Sequence, residues 1–248
     1  MLNKVPQVTL WFWLIKVLST TVGETGADYL AVHAGLGPLL TGAAMTTLLI
    51  AAMVLQLRAD RYVPWIYWLT VVLVSVVGTQ ITDALTDGLG VSLYLSTTVF
   101  AIALAGIFIA WYSKERTLSI RSIFTRRREL FYWAAILCTF ALGTAAGDLA
   151  TEALGLGFQV GVMVFGAIIA CTAVAYYLGA GEVLTFWIAY IVTRPLGASL
   201  GDLLSQARQY GGLGFGSAVT SAIFLAVIVT LVAGMTRAEA AVAVRRNP

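Results

Sequence analysis

Acidic side chains recur in four otherwise apolar segments of the sequence. Three segments carry two acids spaced i, i+4, which project from one face of a helix, and in the fourth Gln206 replaces the second acid. The acids are Glu24, Asp28, Asp83, Asp87, Asp148, Glu152 and Asp202. A charge inside a bilayer costs about 2.5–3.5 kcal/mol on insertion scales unless it faces water, binds a proton or pairs with an opposite charge. The pattern therefore predicts a site for protons or metal cations.

The acids belong to an internal repeat of the form Trp-x9-Gly-x4-Asp. Its four copies are Trp13, Gly23 and Asp28; Trp68, Gly78 and Asp83; Trp133, Gly143 and Asp148; and Trp187, Gly197 and Asp202. Successive tryptophans are 55, 65 and 54 residues apart, so the repeated unit is a two-helix hairpin of about 50 residues. Small residues let membrane helices approach closely, and we expect the four glycines to serve helix packing.

Composition indicates which elements carry the repeat. The chain has 248 residues, of which 60% are hydrophobic and 11% charged, whereas soluble domains are about 25% charged. This excludes a soluble enzyme and a disordered protein. A helix that crosses the bilayer needs about 20 apolar residues. Eight segments meet this requirement: Val8–Ala31, Pro38–Leu57, Pro64–Asp87, Ser92–Tyr112, Leu130–Ala153, Gln159–Leu178, Val183–Gln206 and Gly214–Gly234. The predicted fold class is all-α, a polytopic membrane protein with eight transmembrane helices as four parallel two-helix repeats.

The basic residues orient these spans. Twelve of the fifteen Lys and Arg lie at the two ends of the chain or in the loops after spans two and four, so the positive-inside rule predicts that both termini are cytoplasmic. All seven tryptophans fall at the same ends of the spans and predict an interfacial belt. We interpret the run Arg126–Arg128 as a determinant of orientation near lipid headgroups, and we expect no nucleic-acid partner.

The repeats define the expected architecture. One transmembrane domain, residues 1–248, contains repeats at about 8–61, 64–116, 128–181 and 183–234. Because each unit crosses the membrane twice, the repeats are parallel, and their aspartates reach the same depth. We expect the odd-numbered helices to line a central polar cavity, with the acids in the outer third of the bilayer.

Several of these polar residues form the predicted site. Asp83, Asp87, Asp148 and Glu152 are the expected primary site and metal ligands, and Glu24, Asp28 and Asp202 complete or gate it. Lys16 precedes Glu24 by eight residues, as Arg194 precedes Asp202, so both are expected as countercharges on the acidic faces. Supporting oxygen and amide groups are expected from Thr79, Thr144, Gln80 and Gln206.

The donor types narrow the chemistry. Carboxylate, hydroxyl and amide oxygens suit hard ions such as Mg²⁺, Ca²⁺ or Mn²⁺. His33 is the only histidine, which excludes a bis-histidine haem or a histidine-rich zinc site within one chain. We expect no covalent cofactor, a divalent cation as substrate, and no enzymatic activity. An intramembrane aspartyl protease is the enzymatic alternative, because two aspartates on separate helices are available.

The four copies of tryptophan, glycine and aspartate resemble a bacterial multi-pass membrane family known as a fourfold tandem two-helix repeat of unknown function. The resemblance covers essentially the whole chain and implies an inner (plasma) membrane location. Gly147-Asp148 and Gly201-Asp202 are also similar to half of the Glu-x-Gly-Asp motif of cation-exporter families. The preceding acid of that motif is replaced by Ala145 and Ser199.

The expected function is transport of a hard cation, with proton coupling as an option, through a carboxylate-lined cavity between the odd-numbered helices. One alternative is a pseudo-tetrameric cation channel with an acidic ring. Another is a non-transporting membrane sensor or organiser, whose partner would bind the basic segment Lys114–Arg128. The sequence leaves the ion, the direction of transport and the oligomeric state open.

Overall fold

A computed structural model describes residues 3–30 and 37–246, and its regular structure is helical throughout. The eight helices are α1 (Leu10–Asp28), α2 (Gly37–Arg58), α3 (Pro64–Asp83), α4 (Leu93–Glu115), α5 (Arg126–Asp148), α6 (Gly157–Tyr177), α7 (Glu182–Ser205) and α8 (Ser217–Arg246). Within these ranges, seven helices are long and apolar enough to cross a membrane. The exception is α1, which carries Lys16, Glu24 and Asp28. The predicted all-α membrane fold is confirmed.

The odd-numbered helices form a closed ring. Helix α1 packs against α3 and α7, and α5 packs against the same two helices from the opposite side. Most residues of α3, α5 and α7 are buried inside the protein, whereas α2, α4, α6 and α8 are largely exposed. The even-numbered helices therefore form an outer layer against lipid, and the repeated segments with the acids form the core.

The outer helices connect successive repeats. Helix α2 packs against α3, α4 against α5 and α6 against α7, while α8 closes the circle by packing against α1. Each even-numbered helix thus has its most extensive contact with the first helix of the following repeat. The two-helix hairpin is the repeated unit of sequence, but its second helix is packed against its neighbour.

Turn chemistry sets the helix ends. Thr9 and Thr125 cap α1 and α5, since each side-chain oxygen accepts a hydrogen bond of 3.3 Å from the backbone three residues later. Pro64 occupies the first turn of α3, where its missing N–H costs nothing. We call the end of the bundle with residues 59–63, 116–125 and 178–181 the basic end, and the opposite end the acidic end.

The tryptophans depart from the predicted interfacial belt. Trp11 and Trp65 are exposed, as such a belt requires, but four others are buried inside the protein. The buried ones are Trp68, Trp111, Trp133 and Trp187. They pack with Tyr67, Tyr132 and Phe186 into an aromatic layer at the basic end of the ring. Position along a span fixes the depth of a tryptophan but not the side of the helix from which it projects.

Candidate functional site

The repeated glycines bring the ring helices into close contact. A Cβ atom on any of them would overlap the side chain of a residue on the next odd-numbered helix. The contacts are Gly23 with Ser75, Gly78 with Phe140, Gly143 with Arg194, and Gly197 with Thr20. The contacted residue is in each case the seventh after the repeat tryptophan. The four interfaces are therefore equivalent, and in the third the contacted side chain is an arginine.

Arg194 is the centre of the site. It is fully buried, and its guanidinium group contacts all three other ring helices. Nη2 donates to Glu24 Oε2 at 2.6 Å, to Thr144 Oγ1 at 2.7 Å and to Thr79 Oγ1, and Nη1 donates to the carbonyl of Thr20 at 3.0 Å. Charge-assisted bonds of this kind are the strongest hydrogen bonds in proteins.

The repeat explains why these partners converge. Glu24, Thr79 and Thr144 each stand eleven residues after their tryptophan, and the fourth copy has Ala198 at that position. Arg194 starts one turn nearer the basic end and extends to the level of this polar position. Its guanidinium thus occupies the interior of the ring where a fourth side chain would otherwise face the other three.

The buried countercharge binds an acid on a facing helix. Arg194 pairs across the interface with Glu24 on α1, a contact that the spacing along one helix did not predict. Eight residues of helix separate two side chains by about 12 Å, so the facing helix supplies a nearer partner. Lys16 is also buried, and its Nζ lies 4.0 Å from the ring centroid of Phe140 and 4.3 Å from that of Tyr190.

Other carboxylates surround the pair on the side of the acidic end. Asp148 is half-buried and lies within electrostatic range of Glu24, Asp83, Glu152 and Arg194. Glu152 is exposed and lies within range of Asp87 and Glu24. Asp202 is buried on α7, while Asp87 is exposed. Acids from the first three repeats thus lie within electrostatic range of one another.

Two π-helical turns present the outermost acids. Helices α3 and α5 continue beyond Asp83 and Asp148 as the turns Ala84–Gly88 and Leu149–Ala153. These turns carry Asp87 and Glu152, which extend the carboxylate surface away from the buried pair. Single π-helical turns are rare and occur frequently at functional sites.

The predicted metal centre is not assembled. In the described part of the chain, no three His, Cys, Asp or Glu side chains lie close enough together to hold one metal ion. The expected ligands Asp83, Asp87, Asp148 and Glu152 therefore do not form a common coordination shell, since two of them lie on exposed turns beyond the helix ends. The side chain of Asp28 and all of His33 lie outside the described residues.

The expected supporting residues divide into two groups. Thr79 and Thr144 contact Arg194 directly. The side-chain amide of Gln80 is buried with no hydrogen-bond partner in the described structure. Gln206 ends α7, and its backbone N–H donates to the carbonyl of Asp202 at 2.9 Å.

A second buried ion pair lies at the basic end and was not predicted from the sequence. Lys4 Nζ is 2.8 Å from Glu129 Oε2, and both side chains are buried. Gln56 Nε2 donates to the other oxygen of Glu129 at 3.1 Å. These residues stand outside the Trp-x9-Gly-x4-Asp repeat, and 125 positions separate the charged partners. No local pattern could have indicated the pair.

A known protein family matches the four repeats. The family described as a Repeat of Unknown Function (DUF347) matches residues 11–62, 66–117, 131–181 and 185–241. The chain belongs to this family. The four DUF347 matches begin two or three residues after the predicted repeat starts, which confirms the resemblance to a fourfold tandem repeat. Searches of curated proteins and of solved structures found no significant match.

Proposed function

We propose that this DUF347 protein is a membrane transporter that exchanges a cation at the carboxylates facing the Arg194–Glu24 pair. The cation is a hard metal ion or a proton. The observation that carries this proposal is the burial of a guanidinium inside the ring, bound by groups from all three other repeats. Such a charge is costly within a membrane and is typical of substrate and ion pathways.

The charge balance favours a cation as substrate. Two basic residues, Lys16 and Arg194, lie on the ring helices, whereas these helices and their π-helical turns carry a larger number of acids. Arg194 compensates the charge of Glu24 while no cation is bound to the remaining acids. Protonation of Glu24, or a cation close to Asp148, weakens the attraction between Glu24 and the guanidinium. Binding is thereby coupled to the packing of α7 against α1.

Packing at the basic end favours a carrier over an open channel. The aromatic layer fills the ring on that side of Arg194, and the hydroxyl oxygens of Tyr67 and Tyr132 are 2.5 Å apart. The acids lie on the other side. In the proposed transport cycle this packing corresponds to a state that is closed at the basic end, and transport requires a second state in which that end opens.

The distribution of basic residues supports a location and an orientation. With the basic end in the cytoplasm of a bacterial cell, both termini are cytoplasmic and the acidic end faces outward across the inner membrane. The acids then receive cations from outside the cell or release them there.

The test is flux into liposomes that contain the purified protein. Mn²⁺, Mg²⁺, Ca²⁺ and H⁺ are followed with fluorescent indicators. Asp148→Asn and Asp83→Asn each keep the side-chain shape and remove one charge. Because each variant loses a charge-assisted contact with the cation, we expect its rate of cation flux to fall by about tenfold or more. Asp60→Asn is the matched control, because Asp60 is exposed in the loop at the basic end.

The outcomes separate the candidate functions. Saturable exchange that both ring variants lose and the control keeps supports the carrier. Unsaturated currents indicate a channel. Transport that persists at the wild-type rate in Asp148→Asn and Asp83→Asn contradicts the proposed site, and absence of flux in the wild type leaves a sensor or organiser.

A further inference from the structure

The segment before α1 reaches from α1 to α5 at the basic end of the bundle. Residues 3–9, which we call the N-terminal strap, lead from the start of α1 to Glu129 in the first turn of α5. Helices α1 and α5 are opposite members of the ring. Six extended residues span about 20 Å, which is enough to cross between them. The strap therefore connects two opposite helices of the ring at the basic end.

The strap is held on several sides. The N–H of Lys4 donates to the carbonyl of Ile123 at 3.1 Å, and the N–H of Tyr62 donates to the carbonyl of Asn3 at 3.2 Å. The side-chain amide of Asn3 donates to the carbonyl of Ile120 at 3.2 Å. These contacts involve the loops after α2 and after α4. The strap is thus bound to two loops that each join successive repeats.

Burial shows that the strap is part of the packed interior. Val5 is 3% exposed and belongs to the hydrophobic core together with Ile123. Lys4 and Glu129 are buried, and Gln56 completes the polar cluster beneath the strap. A segment that only rests on the protein surface does not bury an ion pair, so the Lys4–Glu129 pair indicates that the strap is packed into the protein. When a buried pair breaks, an uncompensated charge remains, so the strap is either fully seated or released.

We propose that the N-terminal strap is the gate at the basic end, and that the Lys4–Glu129 pair is its latch. The inference rests on the proposed transport function, since it assigns the strap to regulation of the same path. In the seated position Val5 of the strap packs in the hydrophobic core that contains the aromatic layer. Its release exposes that layer to the solvent at the basic end and allows the ring helices to separate there.

A reversible crosslink tests this gate. Cys138 and Cys171, the two natural cysteines, are first replaced by Ala in the full chain. Lys4→Cys and Glu129→Cys are then joined by a disulfide-containing bifunctional thiol reagent in liposomes. With the strap locked in its seated position, we expect the rate of cation flux to fall by about tenfold or more. This factor corresponds to the free energy of one charge-assisted hydrogen bond. Reduction of the linker should restore flux to the level of the unlinked protein.

A second set of variants tests the latch without a crosslink. Lys4→Met leaves Glu129 buried without its cation, and we expect release of the strap and faster flux. The reversed pair Lys4→Glu with Glu129→Lys should return flux toward the wild-type rate. Lys114→Met is the matched control, because Lys114 is exposed at the end of α4.

The outcomes distinguish the gate from the transport function. Crosslinked protein that transports at the unlinked rate overturns the gate alone. Equal flux in Lys4→Met and the Lys114→Met control also overturns it. Absence of flux in unlinked and wild-type protein overturns the proposed function and the gate together.

Discussion

The buried pair between Glu24 and Arg194 allows a quantitative test of the site. Arg194 is 0% exposed and Glu24 7% exposed. In Glu24→Gln the guanidinium loses its paired carboxylate and keeps only neutral acceptors, namely the introduced amide oxygen, Thr79, Thr144 and the Thr20 carbonyl. Removal of one partner of a buried ion pair costs about 3–5 kcal/mol. We expect Glu24→Gln and Arg194→Gln each to lower the free energy of unfolding by about this amount.

The double variant decides whether the two residues act as a pair. Because the double variant leaves neither charge without its partner, we expect its loss of unfolding free energy to be smaller than the sum of the two single losses by about 2 kcal/mol or more. The free energy of unfolding is measured in mixed micelles with increasing SDS, followed by tryptophan fluorescence. Single losses that add within about 0.5 kcal/mol would refute the pairing.

A surface pair provides the control. Arg121 and Glu182 are 2.5 Å apart, with side chains 70% and 47% exposed. Exposed pairs contribute about 0–1 kcal/mol. We therefore expect Glu182→Gln to change the free energy of unfolding by less than about 1 kcal/mol.

Two further predictions concern packing. Gly143→Ala should lower the free energy of unfolding by about 1–3 kcal/mol, because its methyl group would overlap the Arg194 side chain. Gly42→Ala on α2 meets no atom within 4 Å, so the same assay should show an unchanged or slightly higher stability; equal losses would contradict the close contact. Tyr132→Phe removes the 2.5 Å contact with Tyr67 and should cost about 1–2 kcal/mol by SDS titration. An unchanged midpoint of SDS-induced unfolding would show that this hydrogen bond does not stabilise the aromatic layer.

The apolar runs were sufficient to predict the helices, and the repeat predicted that the odd-numbered helices meet at the centre. Three residue types at fixed spacing identified the odd-numbered helices, and the acids of three repeats do approach one another around Asp148. The same pattern could not predict that Arg194 pairs with Glu24, because a helical period places residues on a face without specifying the helix opposite. That partner lies 170 positions away.

The other differences have the same origin. A tryptophan at the end of a span meets lipid or protein according to the rotation of its helix, and Trp68 and Trp133 face inward. Hairpin connectivity likewise does not determine which repeat an outer helix contacts. The metal centre was expected from the spacing of the acids within the repeat and from their oxygen donors, but this spacing does not bring three of the described acids close enough to hold one ion.

The contact of α8 with α1 has a consequence for biogenesis. During synthesis α1 leaves the ribosome well before α7 and α8, yet α8 packs against it and Arg194 of α7 neutralises Glu24. A nascent chain that stops before α7 therefore holds an uncompensated carboxylate in its least apolar span. Helix α1 therefore completes its packing only after α7 and α8 have been made, and products truncated before α7 should be degraded by membrane quality-control proteases.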